Sequence, residues 1–139
     1  MGSNACARDR GEHGAAALEF GLIAPILVLL VIGIIQFSLW FWAWQVGGHA
    51  AREAARFAAV HPCDTTGIQN KGKDRLSGPP VEGTPTVGVT RSATPLKVGD
   101  DITVEVSFAS INLNFFPGFD GVVTKSATSR VENLPARGC

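Results

Sequence analysis

The stretch from Leu22 to Trp44, LIAPILVLLVIGIIQFSLWFWAW, runs for 23 residues without a formal charge. As a helix it would extend about 34 Å, enough to cross a hydrocarbon layer of about 30 Å with some tilt. A core helix of a soluble domain shows a polar face every three or four residues, whereas this run offers only Gln36 and Ser38. A single helix also satisfies its own backbone groups, as lipid demands. The run therefore reads as a membrane span, and every other segment has to be placed relative to it.

The chain has 139 residues, so with the span and a short leader removed only one small domain can follow. Lysine plus arginine and aspartate plus glutamate both total 12, and this zero balance gives no basic surface for a nucleic acid. Cys6 precedes the span, while Cys63 and Cys139 follow it. A membrane between them suits a reduced thiol on one side and either a disulfide or two free thiols on the other.

Met1 to His13 is polar and mixed in charge, with no apolar periodicity to drive folding. Arg8 and Arg10 favour a cytoplasmic amino terminus, but Arg52 and Arg56 flank the other end of the span, so charge alone sets no orientation. A secretory signal would have a shorter apolar region followed by a small-residue cleavage site, and Gly48-His49-Ala50 is a poor one. At the near end the run is entered through Gly14-Ala15-Ala16-Ala17-Leu18-Glu19-Phe20. It places a glycine, four small or apolar residues and then a lone carboxylate at the lip of the membrane. An acid there is costly without a cation or an escape to the headgroups. No lysine or arginine of the same helix lies within one turn of Glu19.

Gly14 with Glu19-Phe20 and the long apolar segment resembles the type IV prepilin junction, in particular the Flp/Tad branch. The longer run from Gly11 to Pro25 looks like the start of TadE-like pseudopilins. So do Gly33-Ile34-Ile35-Gln36-Phe37 and Ala51-Arg52-Glu53-Ala54-Ala55-Arg56-Phe57-Ala58 further along. The resemblance covers about residues 11 to 60, with the carboxyl-terminal strands matching more loosely. It implies that a prepilin peptidase cuts between Gly14 and Ala15 on the cytoplasmic side, making Glu19 the fifth residue of the mature chain. The freed amine of Ala15 on a neighbouring subunit would then pair with Glu19 where the dielectric is low. The alternative for Glu19 is a carboxylate that snorkels to the surface.

Pro25 removes one helical hydrogen bond, and Gly21 adds slack; a hinge and an ordinary tolerated transmembrane proline both fit. Trp40, Phe41, Trp42 and Trp44 form an aromatic belt of the kind found at headgroup level. Beyond it, Ala50, Ala54 and Ala58 share one helical face and Ala51, Ala55 and Ala59 the next. Small residues so spaced allow close approach, either to the chain's own domain or to a sister helix. One helix from about Ala15 to Val60 is expected, ended by His61-Pro62. Whether Gly47-Gly48 breaks it stays open.

Residues 61–85 are rich in Gly, Pro, Thr and Lys and are expected to be loop or linker. From 86 to 139 the period shifts to two, with strands expected at Thr86 to Arg91, Ile102 to Phe108 and Val122 to Glu132. Between the last two lies an apolar stretch, Ile111 to Phe119, readable as a lid over the sheet or as a contact patch for another subunit. The expected fold is α+β: a long amino-terminal helix followed by a small antiparallel sheet of about three strands.

The three histidines are scattered, no Cys-x-x-Cys or His-Glu-x-x-His occurs, and no complete Gly-x-x-x-x-Gly-Lys-Ser/Thr loop or Gly-x-Ser-x-Gly elbow is present. We therefore expect no enzyme, no metal, no cofactor, no nucleic acid and no small-molecule substrate. The resemblance implies a minor pilin or pseudopilin of the bacterial plasma membrane, amino terminus cytoplasmic and sheet domain extracytoplasmic. Its partners would be lipid, a prepilin peptidase, other pilin or pseudopilin subunits and the Tad assembly platform. The rival is a single-pass anchor, never cleaved, that holds an extracytoplasmic binding or adhesion module.

Overall fold

The computed structural model describes the backbone of residues 8–116, 121–135 and 139, and side chains from residue 14 onward. Helix α1 runs Arg8–Val60, α2 Thr65–Asp74, and strands β1, β2 and β3 cover Val81–Arg91, Asp101–Ser110 and Val122–Arg130. This is the α+β arrangement read from the sequence. Two compact units emerge, Met1–Gln36 and Phe37–Cys139, with the boundary inside α1.

In the first unit Leu22, Ile26 and Leu30 are all more than half exposed, at 70, 64 and 59%. Before Gln36 most of the apolar run is exposed among the described residues, although Gln36 and Ala43 further along it are buried, and this fits a membrane span better than a buried core helix. The helix starts at Arg8 rather than near Ala15. Once Ala15-Ala16-Ala17-Leu18 is helical, each further residue adds one hydrogen bond without a new nucleation step, so polar residues before it are drawn in.

The second unit packs α1 and α2 on one face of the sheet. The strands lie in the order β1-β2-β3, both pairs antiparallel. Along central β2, Ile102, Val104, Val106 and Phe108 are buried, as their alternation predicts. The other face is polar. There Thr103 and Thr128 hydroxyls meet at 2.9 Å and those of Ser107 and Thr124 at 3.0 Å. Against the apolar face lie Ala43, Ala50, Ala54 and Ala58 of α1, with Ala51 and Ala55 also buried. Both alanine faces are thus consumed within the domain, and the sister-helix alternative is not needed for them.

Glycines 47 and 48 do not break α1. A Cβ on Gly47 would stand 3.0 Å from Phe108 Cε1 and 3.3 Å from Lys125 Cγ. The missing side chain is what lets β2 and β3 reach the helix. At Gly48 the nearest atom is the flexible Arg52 guanidinium, 3.5 Å away.

Two expectations are corrected. Within residues 61–85, α2 occupies the first half and β1 begins at Val81. Asp64 caps α2 by accepting from Gly67 N at 2.8 Å, and Ile68 and Gly72 are its buried face. A Cβ on Gly72 would lie 3.0 Å from Val87 and 3.6 Å from the Ala54 Cβ. Tertiary packing here overrides two helix-weakening glycines. The first half of β1 reads as loop because its register shifts between Glu82 and Thr86, around Gly83 at φ 72° and Pro85. An edge strand admits such a bulge. The other strands extend about two residues beyond the sequence reading at Ser110 and stop two short of it at Arg130.

The two glycines should respond oppositely to an added side chain. Gly48→Ala is expected to raise the unfolding free energy by about 0.5–1 kcal/mol through helix propensity. Gly47→Val is expected to lower it by about 1–3 kcal/mol through overpacking against Phe108. Denaturant titrations of the full chain in detergent, followed by circular dichroism, check both signs.

Candidate functional site

The amino-terminal junction is built on α1 alone. Gly14 lies inside the helix, and a Cβ added to it would meet nothing within 4 Å. Its small size is therefore not demanded by packing in this chain. Glycine lowers the local cost of opening a helix by about 1 kcal/mol relative to alanine. That matters for any enzyme that must draw the Gly14–Ala15 bond into an extended conformation. Ala15 and Glu19 are four residues apart, so they share a face one turn apart, with the Glu19 side chain leaning back toward Ala15. Glu19 is exposed, as is Phe20 at 72%. Pro25 sits within α1 without ending it.

The structure brings Cys63 and Cys139 together as a disulfide, 76 residues apart in sequence. It ties the last residue to the turn between α1 and α2. Arg91 braces the same turn, donating to the Pro62 carbonyl at 2.8 Å and to Thr65 Oγ1 at 2.8 Å. Strand β3 and the chain after it are bound directly to α1. Ser129 Oγ donates to the Ala55 carbonyl at 2.6 Å, and Glu132 N to that of Ala59 at 2.9 Å. Lower on the helix, Lys125 Nζ lies 3.3 Å from the centre of the Trp44 ring.

On the other side of α1 an open groove is lined by His49, Arg52, Arg56, Lys71 and Arg75, with Glu53 among them. Arg75 clasps Glu53 through two hydrogen bonds, at 2.8 and 3.2 Å, and so joins α2 to α1. That hydrogen bond, and then the carboxylate charge, raise the Arg75 guanidinium pKa above its ordinary value. This basic cluster was not singled out from the sequence, because its cations come from two helices of which only one was anticipated. The pattern Arg52-x-x-x-Arg56 was the visible half.

Gly67-Ile68-Gln69-Asn70-Lys71-Gly72-Lys73 has the lettering of a phosphate loop up to its lysine, but Asp74 stands where Ser or Thr is needed. These residues lie within α2, where the Gly67 N–H is taken by the Asp64 cap and those after it belong to the helix. Among the described residues no group of His, Cys, Asp or Glu could hold a metal ion. Of the apolar stretch after β2, Leu113, Phe115 and Phe116 are exposed rather than folded over the sheet. Phe119 lies outside the described residues.

Residues 14–56 match the family model described as TadE-like protein. The matched segment begins at Gly14 and takes in Glu19, the apolar run and both Arg52 and Arg56. Neither the comparison with curated proteins nor that with solved structures gave a match.

Breaking the disulfide should weaken the second unit without touching the anchor. Cys139→Ser is expected to cost about 2–4 kcal/mol of unfolding free energy, the usual range for closing a loop of this size. Urea titration of variant and wild type, with and without reductant, checks it. The two proteins should differ only in the absence of reductant.

Proposed function

Proceeding from a helix that is TadE-like over residues 14–56, we propose that this chain is a minor pilin or pseudopilin of a Tad-type pilus assembly system. It would be inserted in the bacterial plasma membrane with its amino terminus in the cytoplasm, cut after Gly14 by a prepilin peptidase, and assembled through α1. The observation that carries this reading is the family match, whose first residues are the Gly14-to-Glu19 junction, on a helix whose apolar residues from 22 to 35 are largely exposed. Its role is structural, without catalysis or a small-molecule substrate.

The physical logic lies in where Glu19 can find a cation. Charged side chains in low dielectric need a partner, and cutting before Ala15 creates one, an α-amine that is protonated near neutral pH. One turn of helix separates that amine from Glu19 in its own chain, and a staggered neighbour would offer its own. Pairing between neighbours sets the axial offset of two otherwise featureless apolar helices. It leaves the disulfide-closed sheet domain facing outward, beside the other pilin subunits and the Tad assembly platform.

Exposed cations along the Arg52–Arg56 groove favour one rival, an uncleaved anchor whose outer domain captures a ligand. The two separate cleanly. In the native cell the mature chain should begin at Ala15 by mass spectrometry. Glu19→Ala should still insert and be cut, yet lose co-purification with the other pilus subunits by tenfold or more. An intact Met1 in cells with an active prepilin peptidase, or assembly indifferent to Glu19→Ala, would leave the anchored module as the better account.

A further inference from the structure

Beyond α1, the large apolar side chains exposed among the described residues are Val98, Leu113, Phe115, Phe116 and Val122. Four of these five lie at one end of the sheet, where β2 stops at Ser110 and β3 begins at Val122. The turn itself is ordered by Asn112, whose Oδ1 accepts from Asn114 N at 2.9 Å, with Asn114 at φ 54°. Phe115 and Phe116 follow it edge to face, ring centres 5.4 Å apart. They are 46 and 36% exposed.

The contacts of β3 with α1 show which end of the sheet this is. Ser129 is bonded to Ala55, and the Lys125 stem lies against Gly47. Four strand residues, about 13 Å, therefore descend alongside eight helical residues, about 12 Å. The strand runs down the helix almost in step with it. Three more strand residues, about 10 Å, bring Val122 level with about Trp40. The ends of β2 and β3 thus lie level with the Trp40–Trp44 belt, and residues 111–116 leave the sheet there. Lys125, over the Trp44 ring, stands just above the loop, where a cation meets headgroup phosphates. Glu82, paired in register with Ala109, is the nearest described acid on β1 and bounds how far this end can sink.

We propose that the loop after β2 enters the membrane beside its own helix, Leu113, Phe115 and Phe116 dipping into the leaflet on the sheet-domain side. The occupant of the apolar patch is lipid, because the patch leaves the sheet level with the aromatic belt of α1, whose residues are of the kind found at the bilayer surface. The domain then has two membrane contacts, the helix and the loop, which fix its rotation about the helix axis as a single span cannot. This rests on the membrane-anchor reading of Leu22 to Trp44 and is independent of cleavage or fibre entry.

The test uses the full chain carrying Cys6→Ser, with the Cys63–Cys139 bridge intact, at one copy per nanodisc of phosphatidylethanolamine and phosphatidylglycerol. Spin labels are placed singly at Phe116→Cys and Leu113→Cys, with Leu30→Cys as the span control and Glu105→Cys as the aqueous one. At Phe116 and Leu113 the ratio of oxygen to nickel-chelate accessibility should exceed that at Glu105 several-fold and approach that at Leu30. A ratio equal to that at Glu105 places the loop in water and overturns the proposal. Low accessibility to both reagents means that protein covers the loop, and overturns it too. A water-exposed Leu30 label would overturn the span itself and the loop insertion with it.

Discussion

The close approach of α1 to β2 is the contact on which the folded body depends. A three-stranded sheet with one apolar face cannot stand alone in water, and here the second layer is supplied by the same helix that carries the apolar run. The approach is possible because the helix presents Ala43, Gly47, Ala50, Ala54 and Ala58 to strands that present Ile, Val and Phe. Small residues on one layer and large ones on the other interlock at native density. The rest follows from that seam. Gly72 lets α2 come in beside it, Arg75 pins α2 to Glu53, and the disulfide holds the chain end against the α1–α2 turn.

That seam also marks what could be read from residues alone. The apolar run and the alternation of Ile102 to Phe108 are strong periodic patterns that depend only on lipid or on one buried face, and both were legible. The alanines at four-residue spacing were legible as a close-packing surface but not as to partner. A sister helix and a Val-rich sheet make the same demand on side-chain size. Helix α2 was not legible at all. Its two glycines lower helix propensity, it buries little beyond Ile68 and Gly72, and its formation depends on a shelf made by Ala54 and Val87. The first half of β1 was hidden by the glycine and proline that make its bulge.

The junction behaves differently from the fold. Glu19 stands out in sequence as an acid beside a lipid-facing run, and Gly14 through the resemblance to the prepilin junction, since the expected helix begins only at about Ala15. Among the described residues nothing stands within 4 Å of a Cβ built on Gly14. These residues are marked by their type and place in the sequence rather than by the packing around them. The basic groove is the converse case, an arrangement of ordinary surface cations that only the docking of α2 on α1 brings together.

Direct bonding of β3 to α1 also limits how the outer domain can be used. Between Gly47 and Ala59 the strand and the chain beyond it are fixed to the helix by backbone carbonyls and by side-chain contact. Any axial displacement of that part of the helix must therefore carry the sheet by the same amount. The part of α1 between residues 47 and 59 thus moves with the sheet as one body.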